Sequence, residues 1–284
     1  ENRLMLKSII VYGFVILSVK ILYKRDDLMK FKSISTKIAV WFCILMLIIC
    51  AGLGICANLS SKHALKTSID QDLVELAQAN SKIISEKVET QLNALKVLSN
   101  NLGIEGAHMS DDEKMEILEN EALRSGHKSI MVVDMNGIAT HTTGDVVDIH
   151  DRDYFKKAIA GESVVTDPII SKTDGSIVVV FAVPIKEGNT VTGVLVARRD
   201  GNELSNYTNE MQYNGREVFM INSEGTTVAN NDQKRVQEMF NIFEEYEKNP
   251  KIVGIFNLQK KMAEGESGVG EYTFNGEEKY MGYH

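Results

Sequence analysis

Beyond Ala57 the sequence contains no cysteine. Its three cysteines, Cys43, Cys50 and Cys56, all lie in one apolar run, Ile38–Ala57. The 227 residues that follow therefore have neither disulfides nor thiolate zinc ligands, and must be held by a core of their own. The histidines are scattered without ligand spacing, so no metal site is expected. Positive charge is also scarce there. Eight of the 31 basic and three of the 39 acidic residues precede Asn58, which leaves 23 against 36 and a net charge of −13. Such a surface has no basic patch to neutralise phosphates, which excludes a nucleic-acid partner and leaves a solvated acidic exterior.

Catalytic signatures are missing as well. There is no nucleophile elbow and no G-x-x-x-x-G-K phosphate loop. Asp145, Asp148, Asp151 and Asp153 form an acidic run, but the Gly and the final Glu of a calcium loop are absent. The run reads as a solvated loop. No catalytic residue, no metal and no cofactor is expected.

What is present begins with Ile38–Ala57 itself, 20 residues without charge or Pro. A helix of ~20 such residues spans the ~30 Å hydrocarbon core of a bilayer. Lys30, Lys32 and Lys37 precede it, and Asn58, Ser60 and Ser61 follow. Positive charge stays inside, so residues 29–37 read as a cytoplasmic lead-in and residues 58–284 as extracellular. The competing reading, a cleaved signal peptide, calls for an apolar region of only ~7–15 residues. Before the lead-in, Ile9–Val19 is too short to span comfortably. Met29 opens a conventional start, and residues 1–28 are expected to be read-through of upstream sequence. The alternative is a genuine extra segment.

Apolar residues then recur in steps of three and four: Leu65, Ile69, Leu73, Leu76, Ile83, Ile84, Val88, Leu92, Leu95, Leu98 and Leu102. This predicts one long helix over about 58–102. Part of it can line a folded domain while another part pairs with a second copy as a homodimer stalk. The other reading packs it wholly on its own chain. Ser110 with Glu113 forms a capping box opening a helix to about Arg124. Strands are predicted at Ser129–Asp134 and Ile138–His141, around Met135-Asn136-Gly137. A polar loop runs from Thr142 to Asp151, and a short helix from Asp153 to Ala160. Further strands are expected at 164–166, 169–171, 177–185 and 190–198, with turns at Thr173-Asp174-Gly175 and Lys186–Asn189.

One motif repeats with a period of 88 residues: Met131-Val132-Val133-Asp134-Met135-Asn136-Gly137 and Phe219-Met220-Ile221-Asn222-Ser223-Glu224-Gly225. A helix, Asn202–Met211, links the two units. The second continues through helices near 233–246 and 250–264 to a hairpin, Gly268–Phe274 and Glu277–Tyr283. A counterpart of the strand Thr190–Arg198 is not found in it, so this unit reads as incomplete.

DRDYFKKAIAGE (151–162), VVTDPIISKTDGSIVVVFAVPI (164–185), GVLVARRDGNEL (193–204), FMINSEGTTVAN (219–230) and GEYTFNGEEKYMGY (270–283) occur in this order. Together they resemble the double-Cache sensor domain of bacterial membrane receptors. The lead-in KSISTKIAVWF resembles methyl-accepting chemotaxis proteins. The resemblance implies an α+β fold: a transmembrane helix, a stalk and spine helix, then two PAS-like antiparallel-sheet modules in series. The membrane-distal module would cover 103–200 and the proximal one 201–284. It implies small-molecule sensing and signalling to cytoplasmic partners, as the sensor half of a chemotaxis receptor. The alternative is the same sensor on a diguanylate cyclase or a histidine kinase. A third is a tethered binding protein.

The resemblance also implies a pocket. Amino-acid-binding members carry Arg-x-Trp-Tyr at the short helix; here the matching residues are Arg152, Asp153, Tyr154 and Phe155. Where those members hold an ammonium with two aspartates, this chain has Ser171 and Arg198. Asp167 is the remaining candidate. Arg152 suits a carboxylate, and Arg198 reverses a charge. The expected ligand is therefore a carboxylate or an acceptor-rich heterocycle rather than a free amino acid.

Overall fold

A computed structural model describes residues 34–105, 109–142, 144–212, 215–274 and 276–284. The segment 1–28 and the first part of the lead-in lie outside the described residues. Helix α1 runs unbroken from Ile34 to Glu105, 72 residues. Periodicity alone starts a helix after the apolar run. The structure joins the two, because no Pro and no stop signal separates them. The described residues up to Thr67 and those from Ser68 to His284 form two compact units. In the first, Trp41, Phe42, Leu47 and Leu53 are exposed. By length and composition α1 is able to cross a membrane.

In the second unit, α1 turns Ile84, Leu95 and Ser99 into a core. Helix α2 (Asp111–Ser125) opens with the expected capping box and closes at Gly126, φ 72°. A seven-stranded antiparallel sheet follows. Its strands are β1 (Ser129–Val133), β2 (Ile138–His141), β3 (Val146–Asp148), β4 (Val164–Val165), β5 (Ile169–Ile170), β6 (Ile177–Glu187) and β7 (Thr190–Asp200). They lie in the order β3-β2-β1-β7-β6-β4, with β5 also on β6. Strand β3 falls inside the stretch read as loop. Its two valines are flanked by Asp145 and Asp148, too short a run to show an alternation.

Both faces of this sheet are covered. On β6, Val179, Phe181, Val183 and Ile185 pack with Ile84 and Leu95 of α1. Val178, Val180 and Ala182 pack the other way, with Tyr154, Phe155 and Ala158 of helix α3 (Asp153–Ile159). A strand buried on both sides needs no polar alternate, hence the unbroken run Ile177–Ile185. Each such side chain contributes roughly 1.5–3 kcal/mol by leaving water.

Helix α4 (Glu203–Glu210) leads to the second copy of the repeat, where β8 (Met220–Ile221) pairs with β9 (Thr227–Ala229). The two copies share their turn bond for bond. Asp134 Oδ1 accepts from the amides of Asn136 (2.9 Å) and Ile138 (2.9 Å). Asn222 Oδ1 accepts from Glu224 (3.0 Å) and Thr226 (2.9 Å). Gly137 (φ 86°) and Gly225 (φ 81°) close the turns in the left-handed region. The Gly137 carbonyl accepts from the Ile149 amide at 2.9 Å, and the Gly225 carbonyl from the Ile242 amide at 3.1 Å.

The single helix expected near 233–246 is two: α5 (Gln233–Gln237) and α6 (Ile242–Lys248). Met239 adopts φ 50° between them, and Asn241 Oδ1 caps α6 at Phe243 and Glu244. An Asn side chain competes with helix hydrogen bonds in this way. A 3-10 turn, Pro250–Ile252, precedes α7 (Val253–Ala263). The hairpin β10 (Gly268–Phe274) and β11 (Glu277–Tyr283) follows as expected.

Candidate ligand site

Arg152 is the N-cap residue of α3, with extended backbone (φ −72°, ψ 132°). The amide of Ile149 is held by Gly137, and the carbonyl of Ile149 accepts from the Arg152 amide at 3.0 Å. The hairpin turn thus sets where α3 begins. Tyr154 lies one residue into α3. Strands β5, β6 and β7 supply the opposite walls.

These elements enclose a cavity of about 10 Å³ lined by Arg152, Tyr154, Ser171, Arg198 and apolar residues that include Met131 and Val180. Four of the six residues singled out in the sequence therefore meet at one point. Phe155 does not line it: it follows Tyr154 on the helix and packs in the apolar core at 5% exposure. Asp167 does not line it either. It accepts from Asn222 Nδ2 at 2.9 Å, tying the loop before β5 to the second copy of the repeat.

Arg198 faces the cavity rather than away from it. Its Nη1 donates to Ser171 Oγ (3.1 Å) and its Nη2 to Asp174 (3.2 Å). It is 7% exposed, and its Nε–H is buried without a partner. The guanidinium is not a bare cation, because Asp174 neutralises it. An Arg198 paired in this way does not repel an ammonium as the free charge expected from the sequence would, which corrects the expectation against a free amino acid. Arg152 Nη2 donates to the Ile170 carbonyl at 2.9 Å.

The loop Ser171–Ser176 covers the cavity, and sequence reading saw only a turn in it. Lys172 reaches across to Asp151 and to the carbonyl of Asp148 (3.1 Å). His141 Nε2 meets Thr173 Oγ1 at 3.1 Å. Asp174 Oδ1 accepts from Ser176 Oγ (2.8 Å) and the Ser176 amide (3.1 Å). The Ser176 hydroxyl bond, aided by Arg198, lowers the Asp174 carboxyl to about 2. Burial raises the Tyr154 hydroxyl. Burial, then the Arg198 charge, lowers His141.

Within the acidic run, Asp148 pairs locally with His150 (2.7 Å) and Asp153 with Lys156 (3.5 Å), while Asp151 pairs with Lys172 of the covering loop. No metal-ligating group of three forms among the described residues.

Arg199, the next residue on β7, points to the other face. It bonds to His127 Nδ1 (3.2 Å), Gln91 Oε1 (3.0 Å), Glu203 and the Ser125 carbonyl. Strand, α1, α2 and α4 thus meet on one guanidinium. Lys87 of α1 adds a pair with Glu210 of α4. Two larger concavities lie elsewhere. One of about 450 Å³ is lined by Phe243, Tyr246 and Phe256 between α6 and α7. One of about 610 Å³ lies between α1, the approach to β8, and β11.

The architecture has relatives. The chain is 25% identical over 197 residues to the methyl-accepting chemotaxis protein PscA of Pseudomonas syringae pv. tomato, covering 67% of this chain and 31% of that protein. The chain thus spans about a third of that relative's length. The ligand-binding domain of the Pseudomonas fluorescens chemoreceptor CtaA, solved with L-serine, matches with TM-score 0.59 at 19% identity, over 76% of this chain and 89% of that one. The sensory domain of the Campylobacter jejuni chemoreceptor Tlp3, solved with isoleucine, matches with TM-score 0.55 at 13% identity, over 77% and 89%. At these identities the structures speak for the fold. Residues 61–284 match the dCache_1 Cache domain, and with the sheet, the short helix and the arginine-lined cavity in place, this chain belongs to that family.

Proposed function

We propose that the chain is the extracellular sensor of a chemotaxis receptor and that its ligand is a small carboxylate, amino acids included. The observation that carries this reading is the convergence of Arg152, Arg198, Tyr154 and Ser171 on one cavity of a Cache fold. Arg152 offers a bidentate donor to a carboxylate, and Tyr154 offers an aromatic wall with a hydroxyl. A carboxylate paired with Arg198, as Asp174 is in the structure, leaves no bare cation there to repel an ammonium. The amino acids bound by CtaA and Tlp3 support including zwitterions among the ligands.

Ile38–Ala57 spans the membrane with the N-terminus inside. Residues 103–200 form the distal module and 201–284 the proximal one, a division supported by the matched turns at Asp134 and Asn222. The receptor is a homodimer through α1. Ile69, Ile83 and Val97 are exposed at intervals of 14 residues, two heptads, away from the buried Ile84 and Leu95. Ligand binding shifts the balance between two packings of sheet and helix, and α1 carries the change to cytoplasmic partners.

The test is a thermal-shift screen of the full chain in detergent against carboxylates, amino acids, amines and purines. Carboxylates should stabilise it, and Arg152→Ala should weaken that effect roughly ten- to a hundredfold. Stabilisation by amines or purines alone, undiminished in Arg152→Ala, sinks the assignment.

A further inference from the structure

The cavity is too small for the ligand class it faces. About 10 Å³ holds one water at most, whereas small-molecule pockets run to ~300 Å³ and above. One wall has to move. Most of the walls belong to α3 and the sheet strands. Ile149 and Arg152 lie on the turn held by the Gly137 carbonyl, and the remaining wall is the loop Ser171–Ser176, in which Thr173, Asp174 and Gly175 are exposed.

That loop is held down by charge. Asp174 Oδ2 lies 3.2 Å from Arg198 Nη2, while Ser171 Oγ, from the same loop, accepts from Nη1. Arg198 is 8% exposed at its side chain and Asp174 is 44% exposed. A carboxylate is thus already seated on the buried arginine, and it belongs to the protein. The Nε–H of Arg198 is left without a partner, so Asp174 does not use all that the guanidinium offers.

Resting on the reading of this cavity as a carboxylate site, we propose that Asp174 is a built-in competitor for the ligand. Its carboxylate holds Arg198 and shuts the loop Ser171–Ser176 over the cavity. A ligand carboxylate takes its place on Arg198, and the freed loop lifts to make room. Affinity is then set by the exchange of one carboxylate for another. Ligands that can also engage Nε–H gain most, since Asp174 leaves that donor unused. Lys172 on Asp151 and the Asp148 carbonyl, His141 on Thr173 and Arg198 on Ser171 fasten the loop further and limit how far it swings.

Asp174→Asn separates this role from a structural one. The amide keeps an oxygen to accept from Ser176, so the turn survives, but it turns an N–H toward Arg198 where Oδ2 accepted. Amide exchange at Ser171–Ser176 is measured on the full chain without added ligand. Binding of acetate, succinate, L-serine and L-isoleucine is measured alongside by calorimetry. The variant should exchange at least about tenfold faster in the loop, and whichever of these carboxylates binds the parent should bind about tenfold tighter. Arg198→Gln should abolish that gain. Unchanged exchange overturns the latch, whatever the ligands do. Faster exchange with parental or weaker affinity overturns the competition. Faster exchange with no carboxylate bound by either protein refutes the carboxylate reading, and the competition with it, while loop closure by Asp174 stands.

Discussion

Arg198 and Arg199 are neighbours on β7, both buried, and they live in opposite circumstances. Arg199 spends its donors on four partners from three helices or their ends, and it lies against Glu203, whose side chain is only 13% exposed. Arg198 meets one hydroxyl and one half-exposed carboxylate, with a donor to spare. The first is built to stay. The second can be bargained over. Burial alone therefore does not tell the two arginines apart; the state of their donors does.

Removing each guanidinium is the harshest way to break this contrast. Arg199→Met leaves the buried Glu203 with the Tyr207 hydroxyl but no cation, and should cost about 3–5 kcal/mol in urea unfolding. Arg198→Met leaves Asp174 largely in water and should cost about 1–2 kcal/mol. Equal losses would mean that the two faces are alike.

Acid should strike the Arg199 face next. His127 accepts from Arg199 Nε, and burial followed by the Arg199 charge lowers it to about 4. The folded chain therefore refuses a proton that the unfolded chain takes up below pH ~6.5. Stability present above that pH is lost as pH falls toward 4. From pH 7 to pH 5 the loss from this group is about 2 kcal/mol. His127→Gln should flatten the dependence in the same window, and a slope unchanged in that variant would remove His127 as its source.

The finest probe deletes one neutral partner from each arginine. Gln91→Ala and Ser171→Ala should each cost about 1 kcal/mol. Only Ser171→Ala should change carboxylate affinity in titrations. A matching change in Gln91→Ala would show that the two faces are coupled through β7.

Much of the sheet was legible because its signals are local. The run Ile177–Ile185 announces a strand covered on both sides, and Ser110 with Glu113 announces a helix start. Arg152 and Arg198 stand out in the sequence through their place in a family pattern, and both line the cavity. What escaped depends on distance in sequence. Asp167 meets Asn222 across 55 residues, and Arg199 meets Gln91 across 108. Asp174 sits 24 residues from Arg198 and looked like one more turn former. Phe155 misled for a different reason. On a helix, adjacent side chains point about 100° apart, so one of two neighbouring aromatics must leave the cavity.

The twinned turns carry a consequence for how such a molecule could be altered. Each hairpin turn closes on a glycine whose carbonyl holds an amide ahead of or at a helix start, Ile149 before α3 and Ile242 at the head of α6. Each helix then borders a hollow of its own, arginine-lined in one copy and aromatic in the other. A Cβ at Gly137 would lie 2.6 Å from His150 Cα, and one at Gly225 would lie 2.9 Å from the Phe243 ring. The glycine is thus the spacer between hairpin and helix in both copies. A side chain added at Gly137 would push against His150 ahead of α3, and one added at Gly225 would displace Phe243 itself, so each reshapes its hollow without a substitution among the residues that line it.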